Sequence, residues 1–118
     1  MRPITPLILP SLQETSFLFT YSVSPLHQSN KNIADVIRDR IARLDEKYGL
    51  EKLEDVETAF KGKISLSCPL LKSKQEEAQR EITDILKTVF DSDYPEYKVY
   101  IHVALLVDGL QKVIEFSI

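Results

Sequence analysis

The amino-acid sequence predicts an α+β fold, a two-layer sandwich in which two amphipathic helices cover one face of a mixed sheet of four or five strands. Two stretches carry apolar residues at spacings of three and four, the period of a helix with one buried side. The last 22 residues, 97–118, alternate between apolar and polar around Asp108-Gly109, which indicates a C-terminal β-hairpin. Because a one-sided sheet must bury its apolar face, the helices are expected to pack against it.

Residues 1–14 are predicted to form an extended, proline-rich arm ahead of a single domain at residues 15–118. Pro3, Pro6 and Pro10 favour β or polyproline geometry in the residues before them. The arm also carries apolar residues that would be poorly placed in free solvent, namely Leu7, Ile8, Leu9 and Leu12. Two interpretations stay open: the arm packs on its own domain, or it contacts a partner.

The first strand and the first helix follow the arm. Residues 17–24 alternate, with Phe17, Phe19, Tyr21 and Val23 on one side, which is typical of a half-buried strand. Pro25 ends it, and Ser29 or Asn30 is expected to cap a helix that runs to about Tyr48. Gly49 follows as the C-terminal stop. The apolar stripe of this helix consists of Ile33, Val36, Ile37, Ile41, Leu44 and Tyr48.

Residues 56–68 are predicted to be strand, because even-numbered positions such as Phe60, Ile64 and Leu66 are apolar. Two strand arrangements fit this parity. One is a hairpin whose loop is residues 61–63, and the other is a single strand bent at Gly62. A short helix within residues 50–60 is a third arrangement, because Leu50, Leu53, Val56 and Phe60 are spaced at helical intervals.

The second helix is expected to begin at Ser73, since Ser73-Lys74-Gln75-Glu76 has the pattern of a capping box. Its apolar stripe consists of Ala78, Ile82, Ile85, Leu86 and Val89. An acidic loop at residues 91–96 then leads into the hairpin.

A tight two-residue turn of a primed type is predicted at Asp108-Gly109, with positive φ at both residues, and it assigns the partners across the hairpin. The predicted pairs are Val103–Ile114, Ile101–Phe116 and Val99–Ile118 on the apolar face, and Tyr100–Ser117, His102–Glu115 and Leu106–Gln111 on the other. A slip of one residue would mix the two faces, so the pattern selects one register. The last strand is expected to lie at a sheet edge.

Composition restricts the class of protein. The chain has 118 residues, of which 43% are hydrophobic and 28% charged, and this is the composition of an ordinary globular domain. A net charge of −3, with basic and acidic residues interspersed, argues against nucleic acid as a partner. The single cysteine, Cys68, excludes an internal disulfide framework and indicates a reducing, cytoplasmic setting. No apolar run approaches the ~20 residues needed to cross a membrane, and no motif calls for a metal or cofactor.

Few residues suggest chemistry. The strongest polar pair is His102 with Glu115, where a carboxylate would orient the imidazole for a general base or a pH switch; an ordinary cross-strand polar pair is the plainer interpretation. Tyr100 extends the same face. Asp91, Asp93 and Glu96 contain the right ligand types for a hard cation but do not match a calcium-loop pattern. The predicted binding surface consists of Tyr100, His102, Val113 and Glu115 together with Leu7, Ile8 and Leu9.

Within residues 64–105, a strand, a helix entered through a polar turn and a second strand are predicted at Ile64-Ser65-Leu66-Ser67-Cys68, residues 73–90 and Val99-Tyr100-Ile101-His102-Val103. This order resembles the repeating unit of the tautomerase superfamily, in which the second strand is parallel to the first. The family's chemistry depends on an amino-terminal proline, whereas this chain begins Met1-Arg2-Pro3. The resemblance therefore implies the scaffold, in a trimer-like assembly, without the activity. A ferredoxin-like plait accounts for the same elements.

These observations favour a non-enzymatic protein-binding or assembly subunit that acts through a sheet edge or face and the arm. Two other functions stay open: a small-molecule enzyme or ligand-binding protein that uses His102 and Glu115, and a regulatory inhibitor of a partner enzyme.

Overall fold

The computed structural model describes residues 13–118, apart from the side chains of residues 13, 46 and 47. The elements in chain order are β1 (Gln13–Pro25), a 3-10 turn (Gln28–Asn30), α1 (Lys31–Ala42), a short α2 (Asp45–Tyr48), β2 (Glu51–Lys52), β3 (Ala59–Leu66), α3 (Leu71–Lys87), a second 3-10 turn (Glu96–Lys98), β4 (Val99–Val107) and β5 (Ile114–Ser117). The predicted α+β class is confirmed. None of the described helices is long and apolar enough to cross a membrane.

The five strands form one sheet in the order β2-β3-β1-β4-β5, and each neighbouring pair is antiparallel. The prediction of a mixed sheet is therefore wrong for the described strands. β3 and β4 run in the same direction, as a strand–helix–strand unit requires, but β1 lies between them and pairs with both. The predicted edge position of the last strand is confirmed, because β5 ends the sheet.

The core lies between the sheet and the two long helices. Alternate residues of β1, β3 and β4 point into it, including Phe19, Phe60 and Leu105, each 0% exposed. The helices contribute buried residues at helical spacing: Ala34, Ile37 and Ile41 from α1, and Ala78, Ile82 and Leu86 from α3. The alternation and the helical stripes thus identified the buried side of each of these elements correctly.

Of the three predicted arrangements of the middle of the chain, the single strand that runs through Gly62 is the one found, and it starts later than predicted. β3 begins at Ala59, and Val56 lies in the loop after β2 with 44% of its surface exposed. Gly62 is an interior position of β3 opposite Phe17. A Cβ at Gly62 would lie 2.9 Å from Cζ of Phe17. The glycine therefore allows the Phe17 ring to lie against the backbone of β3, and it forms neither a hairpin loop nor a helix.

The hairpin between β4 and β5 has a different register from the predicted one. Val103 pairs with Phe116 and Leu105 with Ile114, so each partner is displaced by two residues. A displacement of two keeps every side chain on its predicted face. The cause is Leu110, which is 3% exposed and belongs to the core. Burying Leu110 lengthens the connection, so that β5 starts only at Ile114.

The turn itself is also not of the predicted primed type. The Leu110 amide donates to the Val107 carbonyl over 3.1 Å, which closes a turn around Asp108-Gly109. Gly109 has φ +82°, while Gln111, with φ +69°, is the single non-glycine residue of positive φ among those described. Positive φ at the second central residue alone is the pattern of a type II turn.

These two positive φ angles predict opposite effects of substitution. Gly109→Ala is expected to destabilise the fold by about 1 kcal/mol, since an L side chain is disfavoured in this conformation. The space around Gly109 is open, so the cost is conformational and not steric. Gln111→Gly relieves the same strain and is expected to stabilise by about 0.5 kcal/mol after the entropic cost of glycine. Urea unfolding of both variants measures the difference, and equal signs would contradict it.

The predicted second helix is α3, and it starts earlier than predicted. A side chain of this helix also bonds to the end of β3. α3 begins at Leu71 with Leu70 as N-cap, and no side chain of the described part caps it, so the predicted capping box at Ser73 is wrong. Glu77 instead reaches back to the end of β3. Its carboxylate accepts hydrogen bonds from the Ser67 amide (3.0 Å), the Ser67 hydroxyl (3.0 Å) and the Cys68 amide (3.2 Å). Removal from water raises the pKa of Glu77, but the hydrogen bonds from Cys68 and Ser67 outweigh it and lower the pKa overall.

Replacing Glu77 with glutamine is expected to cost about 1 kcal/mol at neutral pH, because an ionised acceptor of backbone hydrogen bonds is lost. A lowered pKa in the folded state contributes stability above the unfolded pKa, and this is lost as the pH falls through the folded pKa. The difference between Glu77→Gln and the unmodified chain should therefore vanish in acid. Urea unfolding against pH checks this, with Glu76→Gln, an exposed neighbour, as the control.

Candidate binding surface

The outward side of the sheet is its most exposed apolar region. We call it the open face, formed by Leu18 and Thr20 of β1, Tyr100, His102, Ala104 and Leu106 of β4, and Val113 and Glu115 at β5. Leu106 and Val113 are each 51% exposed and Tyr100 is 46% exposed. Their inward neighbours Leu105 and Ile101 are fully buried. The two faces thus differ because the long helices pack on the inward one.

A shallow depression of about 790 Å³ opens on this face, near the end of the sheet where β1 begins. Leu18, Leu106 and Val113 form its apolar floor. Gly109 and Gln111 of the hairpin loop lie at its border, so the strained backbone of that loop shapes the depression. Local strain of this kind is often retained at binding sites.

Charged residues of both signs surround the apolar floor. Lys61 lies 3.5 Å from Glu51, and Lys63 lies 3.8 Å from Glu14. Lys112 also lines the depression and forms no ion pair with the side chains described. An apolar centre within a polar, charged rim is the composition of a protein–protein interface.

His102 has a different partner from the predicted one. Its Nδ1 lies 3.0 Å from Oγ of Ser117, the residue directly opposite it, while Glu115 lies opposite Ala104. The predicted His102–Glu115 pairing is therefore wrong, and the displaced hairpin register is the reason. The Tyr100 and His102 rings stack with centroids 6.0 Å apart.

The contact between His102 and Ser117 supports little chemistry by itself. A serine hydroxyl in contact with an imidazole is one part of a nucleophilic site, which also needs a group that orients the imidazole. Within the described residues, no carboxylate comes within ion-pair distance of His102. Tyr100, His102 and Ser117 thus give the open face hydrogen-bonding and aromatic groups suited to recognition.

Asp91 has a structural role in the acidic loop at residues 91–96. Its carboxylate accepts hydrogen bonds from the amides of Asp93 and Tyr94, both 2.9 Å, and pairs with Arg40 at 2.9 Å. The hydrogen bond from Tyr94, followed by those from Arg40 and Asp93, lowers the pKa of Asp91. In the part of the chain that the structure covers, no group of three or more His, Cys, Asp or Glu residues is placed to hold a metal ion.

The structure brings four of the predicted surface residues together, since Tyr100, His102, Val113 and Glu115 all lie on the open face. Leu7, Ile8 and Leu9 lie outside the described residues. Sequence reasoning missed Leu18, Lys61 and Lys63. The alternation of β1 was a signal that could have placed Leu18 on the side opposite Phe17 and Phe19, but nothing in the sequence showed that β1 lies between β3 and β4.

Comparison of the chain with protein-family models, with curated proteins and with solved structures found no significant match.

Proposed function

We propose that this protein is an assembly subunit without catalytic function, which associates with a second copy of itself through the open face. The observation that carries the proposal is the apolar floor of Leu18, Leu106 and Val113 on a sheet face that no element within residues 13–118 covers. When a partner removes these half-exposed or partly exposed aliphatic side chains from water, the free energy falls.

The charges around the floor support a second copy as the partner. A two-fold contact places the same patch on both sides of the interface, so the patch must complement itself. A rim of one sign would repel its own copy. This rim carries Lys61, Lys63 and Lys112 as well as Glu51 and Asp108, which allows opposite charges to meet.

The face is a better candidate than the edge of the sheet. β5 is an edge strand of only four residues, Ile114–Ser117. Short edge strands are one way in which proteins discourage strand addition. The open face offers Leu18, Leu106 and Val113, apolar side chains that come from three separate segments of the chain.

We also infer a ferredoxin-like arrangement with one added strand. The order β4-β1-β3-β2, with α1 and α3 as the two long connections, supports this inference because it is the antiparallel order of a split strand–helix–strand plait. The resemblance to the tautomerase superfamily stays a prediction.

Sedimentation equilibrium tests the proposal. We expect a reversible monomer–dimer equilibrium between about 1 μM and about 1 mM, concentrations that correspond to association free energies of roughly 8 to 4 kcal/mol. A monomer mass throughout this range would overturn the proposal.

A further inference from the structure

We infer that residues 7–12 of one copy fill the depression on the open face of the second copy. The inference rests on the proposed self-association and names the segment that performs it. Its occupant is thus a part of this chain, contributed by the other subunit.

Residues that line the depression lie close in sequence to residues 7–12, which supports this assignment. Ser16 and Leu18 line it, and both belong to β1, which begins at Gln13. The apolar segment at residues 7–12 directly precedes that strand. A segment of six residues spans at most about 20 Å when extended.

The chemistry of the segment matches that of the floor. Residues 7–12 contain Leu7, Ile8, Leu9 and Leu12, and residues 3–13 carry no charged side chain. An uncharged aliphatic segment can enter the floor of Leu18, Leu106 and Val113 without burying a charge. The lysines and acids of the rim stay at the border, where water reaches them.

The prolines favour insertion into the other subunit. To reach its own depression, the chain would have to reverse direction just before Gln13. Pro10 disfavours helical backbone at Leu9, and Pro6 does the same at Thr5, so both favour extended backbone. An extended segment suits insertion into another subunit better than the reversal that its own depression would require. Exchange of identical segments is a low-cost route to a dimer.

Mixing two full-length variants tests the exchange. The arm variant carries Leu7→Ser, Ile8→Ser and Leu9→Ser and keeps its depression. The face variant carries Leu106→Lys and Val113→Lys and keeps its arm. Each variant alone is expected to be monomeric where the unmodified chain is dimeric. An equimolar mixture is expected to form a heterodimer, because one intact arm meets one intact depression, with a dissociation constant between those of the unmodified chain and the single variants.

The possible outcomes separate the inference from the proposal on which it rests. If the arm variant dimerises as tightly as the unmodified chain, the inference is overturned while self-association through the open face stands. If both variants are monomeric and the mixture does not associate, arm exchange is likewise excluded. If the arm variant associates more tightly, the arm covers its own depression, which also overturns the inference. Circular dichroism verifies the fold of each variant. If the triple arm variant is unfolded, the single substitution Ile8→Ser is used in its place.

Discussion

Replacing Phe19 with alanine is expected to lower the free energy of unfolding by about 3–5 kcal/mol, the cost of removing a buried aromatic ring and leaving a cavity. Phe19 lies in the central strand β1 and is 0% exposed. Its ring centroid is 6.2 Å from that of Phe17 and 5.5 Å from that of Phe60. Small domains have a total stability of roughly 5–15 kcal/mol. We therefore expect this variant to lose a large share of its stability.

Urea unfolding followed by circular dichroism measures this effect. Tyr97→Ala is the control, because Tyr97 also carries an aromatic ring but is 69% exposed. Its free energy of unfolding should change by about 0.5 kcal/mol or less, as for most surface substitutions. Similar losses in the two variants would mean that Phe19 is not at the centre of the core.

The double substitution Leu106→Lys and Val113→Lys is expected to weaken self-association about 100-fold or more. Burying the exposed half of each aliphatic side chain contributes about 1 kcal/mol. A lysine ammonium in the same contact costs at least as much again, and 1.4 kcal/mol corresponds to a factor of about ten. The new charges also lie close to Lys61, Lys63 and Lys112, which line the same depression.

The stability of the subunit itself should change little, because both side chains are already 51% exposed. Val56→Lys is the matched control, since Val56 is a hydrophobic residue with 44% exposure in the loop after β2. Sedimentation equilibrium gives the dissociation constants. Weakened association in Val56→Lys and not in the double variant would place the contact elsewhere on the molecule.

Much of the architecture follows from local periodicity. The apolar alternation of β1 and β4 and the helical stripes of α1 and α3 each depend on residues close in sequence, so they identify the buried sides correctly. The helix stop at Gly49 also follows from local sequence, because its φ of +69° at the end of α2 is the conformation that glycine favours at a helix end.

The errors arise where a distant contact outweighs a local signal. Asp108-Gly109 is a strong turn signal, but the burial of Leu110 lengthens the loop and moves the register by two residues. That shift gives His102 the partner Ser117 in place of Glu115. Similarly, Ser73 has the pattern of a helix cap, yet α3 starts at Leu71 and Glu77 bonds to the end of β3. The position of β1 between β3 and β4 depends on the packing of the whole sheet, and no local pattern encodes it.

The most direct test of self-association through the open face is hydroxyl-radical footprinting of the unmodified chain below and above its dimerisation concentration. Val113 and Val56 form a matched pair of reporters, because they are the same residue type with 51% and 44% exposure. We predict that oxidation of Val113 and of Leu106 falls as the concentration rises, while that of Val56 stays constant. Oxidation of Val113 that is unchanged on dimerisation, or that falls only in step with Val56, would contradict the assignment of the open face as the assembly surface.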